Sequence, residues 1–65
     1  LSSMRVLDVG CGAGILCEGL GRLGFGEVIG IDPTDKCIEQ AKEHLELDNE
    51  LKQKLIYKNI TLEDY

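Results

Sequence analysis

The sequence predicts an α/β protein built on a parallel sheet, with elements in the order strand, helix, strand, helix, strand and the strands lying 3-2-1 in space. Three observations carry this. Short apolar runs ending in glycine or aspartate alternate with segments of helical periodicity. The connections are short, and such alternation calls for parallel strands joined by right-handed crossovers. No repeat or low-complexity segment interrupts the pattern.

Val6, Leu7 and Val9 form the first apolar run, over residues 5–9, and Gly10 ends it. A run of this kind suits a strand buried on both faces of a parallel sheet. Residues 14–23 then place Ile15, Leu16, Leu20 and Leu23 at helical spacing, with Gly24 as the stop. Gly19 and Gly21 weaken this helix by about 1 kcal/mol each relative to alanine, so it must rely on packing against the sheet. Val28, Ile29 and Ile31 form the second strand, which Pro33 terminates. Over residues 35–47, Cys37, Ile38, Ala41 and Leu45 follow the 3.6-residue period. Glu39, Gln40, Lys42, Glu43 and Glu46 take the other face, and Thr34 or Asp35 is the expected side-chain N-cap. The polar stretch 48–54 ends that helix, and 55–59, with Leu55, Ile56 and Tyr57, reads as the third strand.

At 65 residues a chain buries only about 60% of the surface it exposes when unfolded, and typical domains run to roughly 100–150 residues. Residues 1–65 are therefore expected to be part of a longer domain, starting without Met at position 1 and stopping just after a strand. The net charge of −5 and the scattered basic residues leave no electrostatic footprint for nucleic acid or anionic membrane. No apolar stretch approaches the ~20 residues of a membrane-spanning helix, and no signal-peptide pattern is present. Cys11, Cys17 and Cys37 lack CxxC spacing and are odd in number, which favours reduced thiols in buried or half-buried positions over disulfides or zinc.

Ligands of such folds sit beyond the carboxyl ends of the strands. Attention therefore falls on residues 8–14, 32–35 and 59–63. Gly10, Gly12 and Gly14 let the backbone turn tightly and approach a ligand closely. The dinucleotide pattern G-x-G-x-x-G fails in both registers, because Ile15 or Cys17 stands where its last glycine should fall. No G-x-x-x-x-G-K-[ST] is present either. Asp32 lies 22 residues after Gly10, close to the ~20-residue offset at which a carboxylate meets ribose hydroxyls. The competing readings are a surface aspartate at residue 8 and a capping or turn aspartate ahead of Pro33. Cys11 has no visible partner base, and His44 lies among charges on the second helix; a buried filler and a solvated side chain are the expectations. Glu39, Glu43, Glu46 and Asp48 read as a solvated face and not as a metal cluster.

The run Val6-Leu7-Asp8-Val9-Gly10-Cys11-Gly12-Ala13-Gly14 resembles motif I of the class I S-adenosylmethionine-dependent methyltransferases. The resemblance implies the amino-terminal β-α-β-α-β half of their Rossmann-like sheet, with S-adenosyl-L-methionine as cofactor. A carboxylate would repel pyrophosphate, whereas this cofactor brings an ammonium and a sulfonium. Asp8 would serve that positive end, directly or through water, with Gly10, Gly12 and Gly14 as the cradle. Asp32, beside Pro33, would bind the ribose. In the family the residue after the third strand is often acidic and meets the adenine; here the aligned position is Thr61. Its hydroxyl could replace the carboxylate, or the Leu62 amide could serve, and ordinary loop residues fit the run equally well.

Residues 7–16, 20–24 and Val28-Ile29-Gly30-Ile31-Asp32-Pro33 further resemble the ubiquinone-biosynthesis O-methyltransferases. Ala13, where that family commonly has glycine, and Phe25 are departures from its pattern. The resemblance implies a parent enzyme that methylates a ring hydroxyl of a polyprenylated catechol, a lipidic phenol. It implies the matrix side of the inner mitochondrial membrane in a eukaryote, peripheral and associated with other ubiquinone-pathway proteins, and the cytoplasm otherwise. Magnesium is used by some members, and its ligands, like the substrate site and the general base, would lie outside residues 1–65. The isolated segment is expected to be inactive. Another small-molecule methyltransferase, an NAD-dependent dehydrogenase and a non-catalytic binding module are the competing functions.

Overall fold

The computed structural model describes residues 1–65. Its elements are β1 (Arg5–Val9), α1 (Ile15–Leu23), β2 (Glu27–Ile31), α2 (Asp35–Glu46), a 3-10 turn (Leu51–Gln53) and β3 (Leu55–Lys58). The expected order is present, and the helix and strand limits agree with the expected ones to within a residue. The three strands form one parallel sheet in the order β1-β2-β3, with Leu7 opposite Ile29 and Ile29 opposite Ile56. Read from the other edge this is the expected 3-2-1.

Strand alternation sorts the sheet residues onto two faces. Val28, Leu55 and Tyr57 join Cys17 of α1, Ile38 and Ala41 of α2, and Cys11 and Leu51 in a single core cluster. Both helices therefore cover the same face. Gly30 lies beneath the thiols of Cys11 and Cys17: a Cβ there would stand 2.9 Å from each sulfur. The absent side chain is what lets α1 and the loop before it approach β2. At α1's far end Gly24 adopts φ 109°, the left-handed C-cap expected from the sequence.

Three expectations need correction. Burial on both faces belongs to β2, where Val28, Ile29, Gly30 and Ile31 are all buried. In β1, by contrast, Leu7 is 40% and Val9 53% exposed, because β1 is the sheet edge and no helix covers that face. The stretch 48–54 is not a plain polar linker. Asp48 Oδ1 accepts the N–H groups of Glu50 and Leu51 at 3.1 and 3.0 Å, starting a 3-10 turn that drives Leu51 into the core. Finally, α2 starts at Thr34 without a side-chain cap; the neighbouring Asp32 carboxylate supplies the acceptor for this turn instead.

Replacing Gly30 with alanine forces the two sulfurs or the Cys11 backbone to move. The expected cost is about 1–3 kcal/mol, the usual range for overpacking a filled core. Urea denaturation of the intact protein checks this, and an unchanged midpoint would contradict the packing described.

Candidate cofactor site

Three strand ends converge on one aspartate. The chain leaves β1 at Val9 and turns at once, with the N–H groups of Gly10 and Cys11 both donating to the Ile31 carbonyl, at 2.8 and 3.0 Å. Gly10, Gly12 and Gly14 then take φ values of 75°, 57° and 88°, the left-handed region that a side chain makes costly. Nothing lies within 4 Å of where a Cβ would sit on Gly10 or Gly12, so the loop presents bare backbone outward. Gly14 differs: it is buried, and its carbonyl accepts the Glu18 N–H at 2.9 Å, the first helical bond of α1.

Asp32, at the carboxyl end of β2, is only 9% exposed. Its Oδ2 accepts the Gly12 N–H at 3.0 Å and its Oδ1 accepts the Thr34 N–H at 2.8 Å. These bonds favour the charged form and hold the carboxyl below its ordinary value of 3.8, the Thr34 bond most, despite the opposing effect of burial. The capping reading of Asp32 is thus present in the structure, together with a direct tie to the glycine loop. Each oxygen keeps a further lone pair for a ligand hydroxyl.

Asp8 projects from β1 toward α1, where the Cys17 thiol donates to its Oδ2 at 3.3 Å. Burial, reinforced by this bond and the Asp8 charge, pushes the Cys17 thiol up to about 12. Cys11 is also buried, and its thiol is raised by burial and by the charges of Asp32 and Asp8. Neither sulfur is suited to nucleophilic chemistry, since the thiolate is the reactive form. Cys37 is half-buried, and His44 is exposed on α2 with Nδ1 3.8 Å from a Glu18 oxygen.

Asp8, Gly10, Gly12, Gly14 and Asp32 are therefore gathered at one end of the sheet, and Pro33 follows them on the surface. Thr61 and Leu62 are placed differently. The Thr61 hydroxyl donates to Asp64 Oδ2 at 3.1 Å and accepts the Asp64 N–H at 3.3 Å, closing a turn on itself, while Leu62 is exposed. The spacing Thr61-Leu62-Glu63-Asp64 is a capping pattern that the sequence displayed. Two residues of the site had no role in the sequence reading, Asn59 within the 59–63 stretch and Tyr57 outside it. Asn59 donates from Nδ2 to the Asp32 carbonyl at 3.2 Å, and Tyr57 reaches the Gly14 carbonyl from β3. Only the short polar run after an apolar strand hinted at the first.

Because the charged Asp32 is the better hydrogen-bond acceptor, its stabilising contribution is complete above pH 3.8 and is lost as pH falls through the lower folded-state value. Melting temperatures of the wild type and of Asp32→Asn are expected to differ by a constant amount from pH 7 down to about pH 5 and to converge below pH 3.8. A gap that widens in acid would contradict the assignment.

Known proteins share both sequence and shape with this chain. Residues 1–64 match the methyltransferase domain family. The mitochondrial ubiquinone biosynthesis O-methyltransferase of Bos taurus is 50% identical over 64 residues, 98% of this chain and 17% of that protein. The ubiquinone biosynthesis O-methyltransferase of Bradyrhizobium diazoefficiens is 59% identical over 44 residues, 68% of this chain and 17% of its own length. The chain thus spans about a sixth of the curated relatives it matches. A Listeria monocytogenes structure described as an S-adenosylmethionine-dependent methyltransferase superimposes with a TM-score of 0.77 at 30% identity, over 94% of this chain and 26% of that one. Matched over nearly its whole length, the chain belongs to the methyltransferase domain family and has the fold of its class I, S-adenosylmethionine-dependent members.

Proposed function

We propose that these residues form the cofactor half-site of an S-adenosylmethionine-dependent O-methyltransferase acting on a ring hydroxyl of a polyprenylated catechol. One observation carries the cofactor reading: the ionised Asp32 carboxylate, at the end of β2, is bonded to a glycine loop whose outward face is bare backbone. The arrangement fits a nucleoside with a free ribose diol, which one carboxylate can receive with its remaining lone pairs. It does not suit a pyrophosphate, because Asp8 and Asp32 place negative charge on both sides of the loop.

Within this reading Asp8, oriented by Cys17, serves the ammonium and sulfonium end, directly or through water. Gly10, Gly12 and Gly14 shape the cradle, and Asp32 with Pro33 borders the ribose. Thr61 has its hydroxyl bonded to Asp64 and keeps one oxygen lone pair, so an adenine contact in this segment falls to that oxygen or to the Leu62 amide. When bound, S-adenosylmethionine supplies an activated methyl group for in-line transfer to a phenolate oxygen. The residues described here hold and orient it, and alignment of the reacting atoms is a large share of such catalysis.

The ubiquinone biosynthesis O-methyltransferase relatives support a small-molecule phenolic acceptor, and its narrowing to a polyprenylated catechol rests on the family resemblance of the sequence. The same relatives support a mitochondrial address in a eukaryote and a cytoplasmic one in bacteria, and a place at the matrix side of the inner membrane beside other ubiquinone-pathway proteins rests on the family resemblance alone. No group of three or more His, Cys, Asp or Glu side chains is placed to hold a metal ion. The ligands of any magnesium ion are, by the family resemblance, proposed to lie outside residues 1–65.

A calorimetric titration of the intact protein tests the reading. S-adenosylhomocysteine is expected to bind and NAD is not. Asp32→Ala is expected to weaken S-adenosylhomocysteine by about 1–3 kcal/mol, the cost of leaving buried polar groups unpaired. Tight NAD binding, or an Asp32→Ala variant with unaltered affinity, would refute the assignment.

A further inference from the structure

Tyr57 has no part in the function proposed above, yet it touches the site's central loop. It enters from β3, 43 residues away in sequence from Gly14, and is 5% exposed. Its hydroxyl donates to the Gly14 carbonyl at 3.4 Å. The fit is close: a Cβ on Gly14 would collide with the phenol oxygen and stand 2.8 Å from Cζ. A phenylalanine would fill the same volume, so the hydroxyl is the feature that packing alone does not explain. Burial, followed by the neighbouring charges, raises the phenol above its ordinary value, which keeps it a donor.

The loop is thereby held from two sides. Asp32 accepts the Gly12 N–H, Tyr57 donates to the Gly14 carbonyl, and only Ala13 lies between the two anchored glycines. The Gly14 carbonyl also starts α1 through Glu18, so the phenol joins β3, the loop and the helix at one atom. At 3.4 Å the bond is longer than the ~2.8 Å usual for O–H···O.

We propose that Tyr57 is a positioning residue for the cofactor loop, its hydroxyl fixing the Gly14 carbonyl where S-adenosylmethionine binding requires it. This rests on the reading of the loop as the cofactor site. Tyr57 acts through the backbone and does not touch the reacting atoms.

The experiment uses Tyr57→Phe in the full chain, with Asp32→Ala alongside it. The affinity for S-adenosylhomocysteine and the KM for S-adenosylmethionine are expected to weaken by about 3- to 10-fold, the range for one lost neutral hydrogen bond. The KM for a catechol acceptor is expected to stay as in the wild type, and the melting temperature to fall by only a few degrees, because the bond exists before the ligand arrives. An unchanged affinity in Tyr57→Phe beside a weakened Asp32→Ala overturns the positioning role alone; unchanged affinity in both overturns the cofactor reading itself. Equal losses in both KM values mark a merely structural residue and also overturn the proposal. Should Tyr57→Phe not fold, the 13C resonance of Tyr57 Cζ in the wild type serves instead. It is expected to move on addition of S-adenosylhomocysteine, and an unmoved signal overturns the proposal.

Discussion

The tie between the Asp32 carboxylate and the Gly12 amide is the contact on which the candidate site depends. Asp32 is bonded through every polar group it has. Its N–H donates to Lys58 at 3.2 Å, its carbonyl accepts from Ile60 and Asn59 at 3.2 Å each, and its carboxylate receives Gly12 and Thr34. One residue thus joins the loop after β1, the end of β3 and the start of α2. Bonds from backbone N–H groups to an ionised carboxylate are roughly twice as strong as neutral ones. The loop is in this way shaped before any ligand arrives, which lowers the ordering cost of binding.

That tie is possible only because the layers approach closely. Gly30 gives the Cys11 and Cys17 sulfurs room above β2, and Gly14 gives the Tyr57 ring room beneath the loop. Cys17 in turn reaches Asp8. The two acidic residues are consequently set by packing from the core side, leaving the outward face of the glycine loop open. The same organisation concentrates negative charge around the loop, which favours a cationic ligand. The cysteines that might suggest reactivity are spacers and orienters, buried and protonated.

Element order and strand pairing were legible in the sequence because apolar runs and glycine stops report local geometry directly. Asp8, the three loop glycines and Asp32 were legible as a group because the fold class places strand ends together. The 3-2-1 order put the second strand in the middle, but the apolar runs themselves did not show which strand is buried on both faces. Val6-Leu7-Val9 and Val28-Ile29-Ile31 carry the same apolar signal, yet only the second is covered on both faces. Leu51, a single leucine in a polar stretch, gave no periodicity to reveal its burial. Tyr57 read as an ordinary strand residue because its contact with Gly14 is made across 43 residues of sequence. At Thr61 the family pattern left the hydroxyl, the Leu62 amide and an ordinary loop open, and the capping spacing of 61–64 matches the Asp64 turn that the structure contains.

Amide hydrogen exchange at Gly12, measured by NMR on the cofactor-free intact protein, tests the central claim most directly. If Asp32 holds the loop in advance of the ligand, the Gly12 proton exchanges slowly in the wild type and rapidly in Asp32→Ala. Exchange of that proton at the unprotected rate in the wild type would show that the loop is not preformed and would contradict the account.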